Sequence, residues 1–168
     1  TIYEKELMMV KYFHKEIGIV SDREINLAKL FFTHGTNLKF FGKIQKGRKD
    51  IIKNLKNMAW DIFHLHCTLS NFVQVPNKAD FVIPFFVTYD KRLKDIAIIY
   101  KLKAVAFIRN GFEKHCSFIT DLIDPTIKHN YFTAKAYSER QEKLKDATEE
   151  SIIIKIKSEI EKYEKLLI

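Results

Sequence analysis

One segment of the chain reads differently from everything around it. Residues 81–88, Phe81-Val82-Ile83-Pro84-Phe85-Phe86-Val87-Thr88, are almost all aromatic or β-branched, the composition of a buried strand. Pro84 has no amide hydrogen to give a ladder, so it must lie near the strand's start or at a bulge. Helical spacing returns over residues 91–101 through Leu93, Ile96, Ala97 and Tyr100, and a second apolar run extends from Leu102 to Ile108. A strand, a short helix and another strand form a crossover, and a crossover joins parallel strands. The fold expected from this pattern is α/β, with a short parallel sheet in a helix-rich chain.

The remainder is helical in period. Leu7, Val10, Phe13 and Ile17 share one face of a helix over residues 2–17, which Gly18 ends. Ser21 with Glu24 has the spacing of a capping box and opens a second helix. A longer pattern starts near Lys49 and places Ile51, Leu55, Met58, Ile62 and Leu69 on one stripe. After Gly111, Phe112, Cys116, Ile119 and Ile123 follow helical spacing, Asp124-Pro125 punctuates, and two more helices are expected. The last carries Ile153, Ile156, Ile160, Tyr163 and Leu167 at alternating steps of three and four, a coiled-coil-like seam. That seam packs on its own domain, or serves a protein partner or a second copy. With 168 residues, the chain suits one domain plus an appendage. The division expected is an α/β domain over residues 1–111 and a helical extension over 112–168. The chain starts at Thr1 and enters a helix at once, which suggests that further sequence precedes it.

Composition narrows the function classes. Lys and Arg number 29 against 21 Asp and Glu, a formal charge of +8. Polyanions such as RNA are the natural long-range partners of such a chain. Lys43, Lys46, Arg48 and Lys49 gather around Gly42 and Gly47 as a basic loop that could meet phosphates. Two Cys, Cys67 and Cys116, make no zinc motif or disulfide framework and fit a reducing, cytoplasmic setting. No apolar run reaches the length of a membrane span. Nucleotide-binding glycine motifs, nucleophile elbows and HExxH are all missing.

Two carboxylates stand out. Thr88-Tyr89-Asp90 closes the apolar run just before a helix, and ligands of open parallel sheets sit at the carboxyl ends of strands. Asp90 is either a catalytic or metal-binding acid or the cap of the following helix. Asp61 lies in an otherwise apolar helical stretch, three residues before His64. That spacing makes His64 a hydrogen-bond partner or proton carrier beside it. Two such acids could hold Mg²⁺ or Mn²⁺ together with a substrate phosphate.

The order helix with Asp61, strand, Thr88-x-Asp90, helix, strand resembles the C-terminal half of a PIN-like nuclease domain, over about residues 49–108. The resemblance implies a metal-dependent endoribonuclease, with Asp61 and Asp90 as metal ligands and a toxin or anti-phage setting. Glu24 is a poor match for a further acid of the family, and the first acid has no counterpart. The alternatives are a non-catalytic, basic RNA-binding or protein-interaction module and a metal-free HEPN-type ribonuclease. Arg109 and His115 carry the resemblance to HEPN ribonucleases and would do general acid–base work.

Overall fold

The computed structural model describes residues 1–45, 47–70, 85–97, 99, 101–107, 114–118 and 121–167. The chain divides into two compact units. The first comprises residues 1–35, 45–52 and 122–168, and the second comprises residues 36–44 and 53–121.

In the first unit, α1 (Ile2–Tyr12) runs into a π turn, Phe13–Ile17. Gly18, at a φ of 82°, ends it by donating its N–H to the Phe13 carbonyl at 2.8 Å. A side chain there would be strained, and its Cβ would come to 3.2 Å from Leu144. Next comes α2 (Asp22–His34), with Ser21 at the N-cap but making no side-chain cap bond, so the expected capping box is not formed. Asp124 caps α5 (Pro125–Tyr131) by accepting from the Thr126 N–H at 2.9 Å, and Pro125 sits in the first turn, where its missing N–H costs nothing. Thr133 caps α6 (Ala134–Leu144) in the same way, and α7 spans Glu149–Leu167. Val10 of α1, Ile25 of α2, Ile123 and Ile127 of α5 form the core, flanked by Leu7, Phe13 and Phe132. The face predicted for the first helix is thus the one that packs.

Two polar networks cross this unit. Glu6 is fully buried. Its Oε1 accepts from the Asp124 N–H at 2.9 Å, and Lys29 Nζ lies 2.9 Å from Oε2, the approach of an ion pair rather than of an aligned hydrogen bond. Arg140, also buried, donates to the Tyr131 carbonyl at 2.8 Å and lies 3.4 Å from His14 Nδ1. Burial, then the charges of Lys143 and Arg140, push the His14 pKa down, while Glu139 opposes them. His14 is therefore neutral in the fold when the unfolded chain, with a pKa of about 6.5, begins to take up a proton. Its stabilising contribution is complete above that value and is lost as pH falls. The melting temperature should drop between about pH 7 and pH 5, and His14→Gln should flatten that interval in a thermal-melt series. An unchanged profile would contradict the assignment.

In the second unit, the 3₁₀ turn Lys39–Phe41 packs on α4 (Leu93–Ala97). Among the described residues, the unit's buried apolar side chains are Phe40, Phe41, Met58, Leu65, Leu93, Ile96 and Ile99. Met58 and Leu65 belong to α3 (Ile51–Ser70), a helix the sequence anticipates. The strands differ from expectation. Among the described residues, β1 (Leu102–Phe107) and β2 (Lys114–Phe118) form one two-stranded antiparallel pair, with Val105 opposite Cys116 and Phe107 opposite Lys114. This overturns the α/β fold with a parallel sheet, and with it the PIN-like architecture. The helix expected across 112–123 is replaced by β2 over 114–118. The intervening sequence holds Asn110-Gly111, the dipeptide that most favours a hairpin. Of the strand expected over 81–88, residues 81–84 lie outside the described residues. Residues 85–90 have no strand structure, and Phe85 and Val87 are exposed. β-propensity depends on having a neighbour to pair with. Here Thr88 and Asp90 spend their oxygens on nearby backbone N–H groups instead.

Candidate functional site

The expected acidic site falls within the second unit. Asp90 N–H donates to Thr88 Oγ1 at 3.0 Å, and Asp90 Oδ1 accepts from the Arg92 N–H at 2.8 Å. The Leu93 N–H reaches the Asp90 carbonyl at 3.2 Å. Asp90 therefore nucleates the turn into α4, as the capping alternative required. Its carboxylate is also held by the Arg92 side chain. Nε lies 2.9 Å from Oδ1 and 3.0 Å from Oδ2, and the terminal guanidinium nitrogen pairs with Oδ2.

This fork has an electrostatic consequence. Hydrogen bonds from Arg92 hold the Asp90 pKa down to about 2, aided by the Arg92 charge and more weakly by Lys43. Asp90 in turn raises the Arg92 pKa, and the charge of Asp61 adds to that effect. Asp61 is half-buried on α3, and the cation that Asp90 holds is the Arg92 guanidinium. Both Asp90 oxygens are engaged by it. Among the described residues, no three His, Cys, Asp or Glu side chains gather as a metal ion would need. The donor set does not fit the Mg²⁺ or Mn²⁺ pair of ligands expected from the sequence, because a divalent ion would have to displace Arg92. Replacing Arg92 by Gln should release Asp90: its carboxyl should titrate near 2 in the wild type and close to the ordinary carboxylate value of about 4 in the variant, followed by NMR. A titration unchanged by the substitution would refute the fork.

The other expected residues scatter. His64 is exposed and turned away from the buried face of α3, with its ring against Trp60 and Phe63. Lys43 is exposed in the second unit. Arg48, in the first unit, is paired with Asp50, and Lys49 is exposed there. Lys46 and Arg109 lie outside the described residues. His115 is placed in β2 opposite Ala106, not on the helix that a HEPN motif requires.

α3 carries what the sequence reading missed. Its inward face holds Asn54, Met58, Asp61 and Leu65, and its outward face holds Lys53, Lys56, Trp60, Phe63 and His64. Trp60 is 60% exposed and Phe63 52%, an unusual position for two large rings. They meet edge to face, with centroids 5.5 Å apart at 87°, while His64 lies 6.0 Å from Trp60 at a shallow 31°. Lys56, Ala59, Trp60 and Phe63 line an open recess of about 370 Å³. Such a shelf offers apolar and aromatic surface, with a lysine among the residues that line it. The signal was in the sequence: Lys53, Lys56, Trp60 and Phe63 recur at helical steps opposite the Ile51–Met58–Leu65 stripe.

No family model, no curated protein and no solved structure matches the chain. No helix among the described residues is long and apolar enough to cross a membrane.

Proposed function

We propose that this chain is a basic, non-catalytic module that binds single-stranded RNA through the outward face of α3. The observation that carries this reading is the Trp60–Phe63–His64 ring cluster beside Lys56, exposed on a chain of charge +8. Unpaired bases stack on exposed aromatic rings, and lysines follow the phosphates. Base pairs in a duplex keep their faces covered, so this surface selects single strands. The Arg92 fork on Asp90 supports binding over metal-assisted cleavage, because an ion would have to compete with the guanidinium for the Asp90 oxygens. RNA met in the cytoplasm suits this reading, as does the free thiol of Cys67.

Trp60 is the chain's single tryptophan, so its fluorescence reports the site directly. Titration with a short single-stranded RNA should quench it, the affinity should fall as salt rises, and an equal-length RNA duplex should quench far less. Equal quenching by the duplex, or none at saturation, would refute the reading. Cleavage of the RNA that requires added Mn²⁺ and is lost in Asp90→Asn would replace it with the ribonuclease alternative.

A further inference from the structure

The shelf on α3 has a shape as well as a composition. Trp60 and Phe63 stand at 87° to each other with centroids 5.5 Å apart, and His64 completes the cluster at 6.0 Å from each ring. His64 does not line the recess, which is bounded by Lys56, Ala59, Trp60 and Phe63. Ala59 is exposed, and its small side chain leaves the corner between the rings open. Two rings at right angles cannot each carry one of two successive stacked bases, because such bases lie parallel to each other. One base can lie flat on one ring and meet the other with its edge, an arrangement that ring quadrupoles favour. At about 370 Å³, the recess is at the small end for a ligand site.

We infer that this corner takes a single base and that the base is a purine; the inference rests on the single-strand reading given above. A purine presents two fused rings to the platform where a pyrimidine presents one, so it covers more of an indole and gains more from leaving water. The same right angle would suit an alkylated ammonium, the usual guest of an aromatic cage. Charge decides against that guest. Lys53 and Lys56 share this face and the chain carries +8, so a cation is repelled and a base on its phosphate chain is drawn in. Among the four lining side chains, the polar groups are the Lys56 ammonium and the Trp60 indole N–H, and both only donate. Adenine and guanine alike accept at N7. The corner therefore separates purine from pyrimidine by area, and does not separate adenine from guanine by its edge.

Fluorescence anisotropy of labelled octaribonucleotides, titrated with the full chain, tests this. Octauridylate with one central adenosine should bind about three- to tenfold tighter than octauridylate itself. One guanosine should act likewise, and one cytidine should add nothing. A second adenosine should add only the statistical gain of a second way to fill one corner. Ala59→Leu fills the corner at an exposed helix position and changes no ring and no charge. It should abolish the purine preference and leave the circular dichroism spectrum and the salt dependence of binding unchanged. Equal binding of all octamers with quenching of Trp60 would overturn this inference and leave the single-strand reading intact, whereas binding of none would end both. A second adenosine that repeats the gain of the first, a preference that survives Ala59→Leu, or displacement of the RNA by tetramethylammonium beyond that by equal sodium would each overturn it as well.

Discussion

Replacing Trp60 and Phe63 together by Ala should weaken binding of single-stranded RNA by about 10- to 100-fold, the loss of roughly 1–3 kcal/mol of base stacking. Both rings are more than half exposed, so little core packing goes with them, and the melting temperature should stay within a degree or two of the wild type. That separation makes the pair informative, since an affinity loss without a stability loss isolates the surface. Lys56→Ala should act differently. It removes a charge rather than a platform, so binding should weaken evenly across RNA sequences and the dependence of log K on log salt should become shallower by about one unit. Fluorescence anisotropy with a labelled RNA at several salt concentrations measures both. If the double Ala variant binds as tightly as the wild type, the outward face of α3 is not the site.

Glu6→Ala should destabilise the chain by about 3–5 kcal/mol, read from urea unfolding. Glu6 is fully buried, bridging Lys29 of α2 and the Asp124 N–H at the start of α5. Truncation leaves the part-buried Asp124 N–H without its acceptor and Lys29 without its counter-ion. Glu6→Gln keeps an acceptor for Asp124 and should cost less. Lys29→Met leaves an uncompensated carboxylate in the core and should cost at least as much as Glu6→Ala, whereas Glu6→Leu with Lys29→Met together should recover much of the loss. A cost under about 1 kcal/mol for Glu6→Ala would mean that the pair is better hydrated than its burial implies.

Much of the helical architecture was legible, because a helix closes its hydrogen bonds within itself and prints its buried face at steps of three and four. Val10 and Met58 are buried where that period placed an apolar residue, whereas α5, which buries Ile127, was not expected. The strand pairing was not legible in the same way. An apolar run announces a strand without naming its neighbour, and Leu102–Phe107 was read as closing a crossover when its partner was the following segment. The helical spacing of Phe112, Cys116, Ile119 and Ile123 pointed instead to a helix after Gly111.

The candidate site divides along the same line. Sequence alone established the charge of the chain, the amphipathic helices and the prominence of Asp61 and Asp90, since these depend on composition and local period. Only the tertiary structure decided what faces those acids. Asp90 pairs with Arg92, two residues on, and the charge of Asp61 adds to the field at the same guanidinium. Tertiary packing also left Trp60 and Phe63 outside the core. The physical reason is that hydrophobicity says how much a side chain gains from burial, whereas the packing of the other elements determines which side of a helix is covered.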